Sequence, residues 1–433
     1  MDVRVSLGLC VIVLSGLNFM PAADWPQWRG PKREGWSGDT GLAKNWPSAG
    51  PSLLWKIDDV AKLGVGYGAP SVVGNKLFIL GADNPKKEAQ EYCVCLDART
   101  GKSLWKTPLN TTPGNFNDNW GGGPRSSPTV DGEYVYVLGA TGDLLCLAAR
   151  DGKLVWRKNL VKDFGGSIPT WGYSESVLID GEKLVCTPGS RGGMIALNKR
   201  TGETIWQCKD FSDDAGYSSI IAATIADVPQ YIQQTMKSGI GVRASDGKLL
   251  WKAGEIGRRV AVIPTPIVHD NQVFYTAGYG AGCELVTLKP DGNGGITATL
   301  AYTKNNVLAN HHGGVIRVGK YIYGYSDTQG GWVCIEYQTG DPDPVWKSTK
   351  LGKGSISYAD GYFYCYAEKD GTLARIEASP EGWRETGRFT IPALSKLRPN
   401  SGKVWAHPVI ANGKLYLRDY ELLYCYDLQN PGA

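Results

Sequence analysis

Asn310-His311-His312-Gly313-Gly314 is the string in this sequence whose residue types come nearest to chemistry, since paired imidazoles can hold a metal or move a proton. Neighbouring side chains of an extended strand point to opposite faces, so at most one of the two is expected to face a common site. His407 could bring a second imidazole there, but no third ligand stands at a usable spacing. There is no Gly-x-Ser-x-Gly elbow, no His-Glu-x-x-His, no Cys-x-x-Cys and no phosphate loop, which leaves serine, zinc, dithiol and nucleotide chemistry without a signature. The residues that share the histidines' place in the sequence pattern are cations and aromatics: Tyr67, Arg125, Trp171, Tyr173, Glu175, Tyr217, Arg259 next to Arg258, Lys353 and Trp405. Such a set suits a small ligand with carboxylates or phosphates and a flat or carbohydrate body, the cations pairing with the anion and the aromatics stacking. The plainer reading is a polar channel lining that binds nothing.

The shared place is the start of a repeat. Five segments read strand, turn, Trp, as in Cys95-Leu-Asp-Ala-Arg-Thr-Gly-Lys-Ser-Leu-Trp105, Cys146 to Trp156, Ala196 to Trp206, Gly241 to Trp251 and the looser Cys334 to Trp346. From Trp55 the spacings to Trp105, Trp156, Trp206 and Trp251 are 50, 51, 50 and 45 residues, one repeat length. Tyr302 and Phe389 close two divergent copies. Eight openings, each a small or polar pair followed by alternating apolar residues, run from Ala69-Pro70, Ser127-Pro128 and Ser174-Glu175 through Ser218-Ser219, Thr265-Pro266, Gly313-Gly314 and Gly354-Ser355 to His407-Pro408. The last copy stops without its Trp strand, and Ser52-Leu-Leu-Trp55-Lys-Ile57 supplies one from the other end. About four short strands per copy, joined by Asp-Gly, Thr-Gly or Asn-Gly turns, make a sheet that is apolar on both faces. Stacking eight such sheets radially buries both faces, and sharing one between the chain's two ends closes the ring. The fold class expected is therefore all-β, an eight-bladed β-propeller of four-stranded blades closed by an N-terminal strand. Each blade's first strand should then start at the same end of a central channel, which brings the candidate residues together.

The strand-Asp-x-x-Thr-Gly-x-x-x-Trp unit resembles the repeat of propellers built from pyrroloquinoline-quinone (PQQ)-type repeats, over nearly all of residues 52 to 428. That resemblance implies the fold and leaves function open, because the family holds dehydrogenases that bind PQQ with calcium, an outer-membrane assembly lipoprotein that binds neither, and other exported propellers. Asp24-Trp-Pro-Gln-Trp-Arg-Gly-Pro-Lys-Arg-Glu-Gly-Trp36 resembles the opening of the third group; read alone, it is an aromatic tail packing across one end of the ring. Against PQQ stand the lack of a vicinal Cys-Cys pair and of a Glu/Asn/Asp calcium constellation, with Glu175 and Asp327 only stray candidates. Cys93-Val-Cys95 is expected to place its thiols on opposite sheet faces, unbonded. The expectation is a non-catalytic ligand-binding or protein-interaction scaffold with no required cofactor. A PQQ-dependent alcohol or sugar dehydrogenase and an outer-membrane assembly scaffold are the alternatives.

Composition bounds the rest. Residues 1–23 read as an export signal, with an apolar stretch from Leu7 to Leu17 and Pro21-Ala22-Ala23 before Asp24, which places the mature chain in the periplasm or envelope with no further membrane span. Residues 24–50 form the aromatic extension and 51–433 a single propeller. A net charge of +4 from 46 basic and 42 acidic residues makes no case for nucleic acid, so the expected partners are a small anionic or carbohydrate ligand, or envelope proteins. Cys95, Cys146, Cys334 and Cys425 recur at one repeat position, too far apart to bond, and read as core.

Overall fold

The computed structural model describes residues 23–110, 115–256, 261–293 and 295–430. Most of the expected export signal, together with Arg258 and Arg259, lies outside the described residues. The turn that defines the repeat shows why these sequences bend where they do. Asp97 Oδ1 accepts the backbone N–H groups of Arg99 at 2.9 Å and Thr100 at 3.1 Å, and Gly101 follows at φ +70°, which a side chain would strain. Asn198 makes the same two bonds to Arg200 and Thr201 in another copy. Either side of such turns, β-branched and aromatic residues alternate into antiparallel strands.

The result is eight four-stranded sheets, an all-β eight-bladed propeller. The first blade runs Ser71–Val73, Lys76–Ala82, Glu91–Asp97 and Ser103–Pro108 as a simple meander. The eighth is built from Val409–Ala411, Lys414–Asp419 and Leu422–Asp427, and its outer strand is Leu53–Ile57 from the other end of the chain. Among the described residues the helical content is one short turn, Val60–Leu63, capped by Asp59, and a 3-10 turn at Ser190–Gly192.

Apolar clusters lie between neighbouring blades. Phe78, Leu80, Cys93 and Cys95 of the first blade pack on Val135, Val137, Leu145 and Leu147 of the second. Ile57, Val72 and Leu77 meet Val409, Tyr416 and Leu423 where the ring closes. Cys93 and Cys95 thus lie on one face, as residues two apart in a strand must, which corrects the expectation of opposite faces; both are unbonded. All nine cysteines of the described residues are buried and free, and burial, opposed by the charge of Lys76, pushes the Cys95 thiol up to about 12.

Two kinds of hydrogen bond stitch blade to blade. The repeat Trp reaches the next blade's turn: Nε1 of Trp55, Trp105, Trp156 and Trp206 donates to the carbonyls of Ala98, Ala149, Lys199 and Ala244 at 2.9–3.3 Å. Tyr302 in its divergent copy donates in the same way to the Tyr337 carbonyl. Trp251 departs from the pattern and bonds Gln230 Oε1 of its own blade at 2.7 Å. At the channel, the small polar residues of the openings do the joining, with Ser127 Oγ on the Ala69 carbonyl at 2.8 Å, and Ser127 N on Ser176 Oγ at 2.8 Å. Ser176 N continues the chain to Ser219 Oγ at 3.0 Å. These hydroxyls are buried between backbones, which explains why the openings are polar without facing water.

Candidate functional site

The segments before the innermost strands meet at one end of the channel around a cavity of about 150 Å³. Tyr67, Arg125, Trp171, Tyr217, His311, His312, Trp405 and His407 all line it, eight of the twelve residues the sequence pattern singled out. They come from different blades and converge because each stands at the same step of its repeat.

Arg125 is held by backbone. Its Nη1 donates to the carbonyls of Trp171 at 3.0 Å and Gly123 at 3.3 Å, its Nη2 to that of Gly121 at 2.8 Å, and its guanidinium stands 5.3 Å from the Tyr67 ring centre. Among the described residues no carboxylate comes within ion-pair distance of it. Tyr67 donates to the Trp120 carbonyl at 2.6 Å, and its ring meets Trp405 at 4.9 Å. Trp405 in turn stacks on His312 at 4.5 Å, 20° from parallel. Trp120 and Tyr279, 45% and 48% exposed, stand at the mouth.

His311 and His312 both line the cavity, their rings 3.6 Å apart, which corrects the expectation that only one would. They sit in a bend ahead of the strand Val315–Val318, so strand alternation does not apply to them. Lys353 Nζ donates to His311 Nδ1 at 3.1 Å and pairs with Asp327 at 2.7 Å; it stands behind His311, off the cavity wall. His407 Nε2 donates to the His312 carbonyl at 2.9 Å. Burial, then the charge of Lys353, pushes His311 down to about 3; burial and Arg29 do the same to His407, and His312 is also driven well below its ordinary value, burial first. The three imidazoles are neutral at pH 7. Each therefore offers one donor and one acceptor.

Tyr173 and Glu175 do not reach the cavity. Alternation along the extended segment turns them outward between blades, where Tyr173 donates to the Pro188 carbonyl at 2.8 Å and Glu175 Oε2 accepts from Thr187 N at 3.0 Å; Ser174 between them lines the wall. Burial pushes the Glu175 carboxyl up to about 8 against the pull of Arg33. Arg259 lies outside the described residues.

The sequence pattern missed the residues beside it rather than within it. Trp120 directly precedes the Gly121-Gly-Gly123 run, and Tyr279 sits inside Gly278-Tyr-Gly-Ala-Gly282. Those glycines make room for the wall itself: a Cβ at Gly121 would strike the Tyr67 hydroxyl, and one at Gly278 would lie 2.8 Å from His311 Cβ. The third omission, Trp28, comes from residues 24–50, which run across the opposite end of the ring. Trp25 exchanges backbone bonds with Val72 at 2.8 Å, Arg33 donates to the carbonyls of Ser176 at 2.5 Å and Val177 at 3.0 Å, and Arg29 to that of Val315 at 2.5 Å. Trp28 rises into the channel, donates to Thr265 Oγ1 at 2.8 Å, packs 4.7 Å from His407 and forms part of the cavity lining.

Among the described residues the wall carries no aspartate or glutamate. Among the described residues no group of three or more His, Cys, Asp or Glu is placed to hold a metal ion; Glu175 faces Thr187 and Asp327 is engaged by Lys353. This donor set does not fit a quinone held with calcium, whose hard cation needs carboxylate and carbonyl oxygens at its own site.

Residues 89–348 match the family described as outer membrane protein assembly factor BamB. A protein of that name from Kangiella koreensis is 25% identical over 218 residues, 48% of this chain and 48% of its own length. Another from Yersinia pestis is 25% identical over 193 residues, 43% of this chain and 47% of its own. The chain thus spans about half the length of the curated relatives it matches. Among solved structures, BamB from Moraxella catarrhalis superposes with a TM-score of 0.57 at 14% identity, covering 88% of this chain and 99% of that one. The quinohemoprotein alcohol dehydrogenase from Comamonas testosteroni gives 0.62 at 11% identity, covering 95% and 81%. At such identities the two structures speak to the fold alone.

Proposed function

Because the chain belongs to the family of the outer membrane protein assembly factor BamB, we propose that it is an exported, non-catalytic propeller that serves as a scaffold in building the outer envelope. The observation that carries this reading is the family match across the middle of the ring, from the first blade to the sixth. The outer strands support it. In four consecutive blades the strand pairing slips by one residue just before the docked Trp, and the extra residue, Leu54, Leu104, Val155 or Ile205, is turned out to solvent. Leu104 is 50% and Ile205 45% exposed. A bulge blunts an edge against indiscriminate strand pairing while the aliphatic side chains remain available to a partner. The occupant we assign to this arc is an envelope protein of the assembly machinery.

The dehydrogenase alternative finds no support in the donor set of the cavity. Cells lacking this chain are expected to carry less folded outer-membrane β-barrel protein, measured by heat-modifiable migration. Wild-type protein should restore it, and the Leu104→Asp/Ile205→Asp protein, folded by circular dichroism, should not. Unchanged barrel content in the deletion strain, or dye-linked alcohol oxidation by the purified chain with PQQ and calcium, would overturn the reading.

A further inference from the structure

The cavity at the channel mouth is built for something more particular than water. Its volume of about 150 Å³ is that of an engineered cavity that takes benzene, and it opens past Trp120 and Tyr279, so one six-membered ring fits with its exocyclic groups toward the mouth. Four indoles, those of Trp28, Trp120, Trp171 and Trp405, line it and offer flat apolar faces. Polar atoms are set among them. Trp171 Nε1 and His312 Nδ1 are buried without a hydrogen-bond partner, and Ser174 and Ser219 also line the cavity. A purely aromatic guest would leave those atoms unpaired, at a cost. A pyranose has apolar C–H faces and a rim of hydroxyls that both donate and accept. Finally, among the described residues Arg125 finds no protein partner for its Nε–H and one Nη2–H, and none of them places an acidic side chain on the wall to neutralise it. Two free guanidinium N–H groups are what a carboxylate takes.

We propose that this cavity binds one ring of an acidic saccharide, a uronate, seated on the indole faces with its carboxylate on Arg125. The site is independent of the assembly role and could serve it by holding the protein to an anionic polysaccharide. Titration calorimetry on the purified protein with D-glucuronate, D-galacturonate, D-glucuronamide, D-glucose and benzoate tests it. At least one uronate should bind, and the amide, which keeps the ring and loses the charge, at least tenfold more weakly. Trp171→Ala should weaken uronate at least tenfold, and Arg125→Gln should erase the preference for acid over amide. The ligand-side comparison stands even if the arginine variant does not fold. Equal binding of acid and amide, benzoate binding more tightly than either uronate, or no saccharide binding at millimolar concentration would overturn the proposal. Uronate affinity and barrel content are separate readouts, so either reading can fail while the other holds.

Discussion

The three neutral histidines and the buried Glu175 pull stability in opposite directions with pH, and the signs can be worked out residue by residue. His311 and His407 fold with their pKa lowered from 6.5 to about 3, so their contribution is complete above pH 6.5 and is lost as pH falls from there toward 3. Glu175 folds with its pKa raised from 4.5 to about 8, so its contribution is complete below pH 4.5 and is lost as pH rises through 8. Between 4.5 and 6.5 the slopes oppose each other. Two imidazoles there outweigh one carboxyl, so the melting temperature is expected to fall as pH drops below 6.5 and, more gently, as it rises above 6.5, with His407→Gln flattening the acid limb and Glu175→Gln the alkaline one. A melting temperature that climbs steadily from pH 4 to 8 in both variants would contradict these assignments. At this scale the sequence was partly legible. Repeat position brought Arg125, Trp171 and Trp405 to one place, whereas Tyr173 and Glu175 were misplaced because their neighbour Ser174 holds the inward phase of the alternation. Position in a repeat says which end of the blade a residue occupies; the phase of the chain says which way it faces.

The element that repeats most faithfully is the outer strand with its Trp, and its energetics follow from what the indole covers. Trp156 is buried against the third blade, bonds the Lys199 carbonyl at 2.9 Å, and rests on Gly202, whose Cβ would lie 2.9 Å from the ring. Replacing it with Ala is expected to cost about 3–5 kcal/mol, the range for a buried aromatic, read as a lower denaturant midpoint with an unchanged slope. Gly152→Ala tests the equivalent joint one blade earlier, where Trp105 of the first blade docks on the second, from the glycine side. At φ +73° and 2.6 Å from Trp105 Cε3, a methyl group there would push the indole off its seat. Both strand and turn were readable, because Asp-x-x-Thr-Gly has one good conformation and the Trp spacing is constant. The bulge before Trp55, Trp105, Trp156 and Trp206 was not. It depends on the register between two strands, and the motif Ser-Leu-Trp carries no mark of the slipped pairing that throws Leu104 outward.

At the scale of the whole molecule the question is whether eight similar blades unfold as one. Linear repeat arrays lose cooperativity because each unit touches only its neighbours. Here two devices work against that. The strand Leu53–Ile57 pairs with Leu422–Asp427 and closes the ring, and residues 24–50 cross its end, touching the first, second, third, fifth, sixth, seventh and eighth blades through Val72, Val130, Val177, Thr265, Val315, Tyr358 and Gly413. The aromatic richness of that segment suggested packing across an end, but its contacts, separated by up to 388 residues in sequence, are invisible to any local pattern. Arg29 and Arg33 are its anchors, both buried, both donating to backbone carbonyls of inner segments, and both pushed down to about 10 by burial. Removing either leaves carbonyls without donors, at about 1–3 kcal/mol each, and frees the segment that ties distant blades together. The wild-type protein is expected to unfold in urea as one transition, with tryptophan fluorescence and far-ultraviolet circular dichroism superimposable. In the Arg29→Ala/Arg33→Ala protein the two curves should separate, fluorescence shifting first as Trp25, Trp28 and Trp36 come loose. Coincident curves in that variant would mean that closure by the N-terminal strand alone couples the ring.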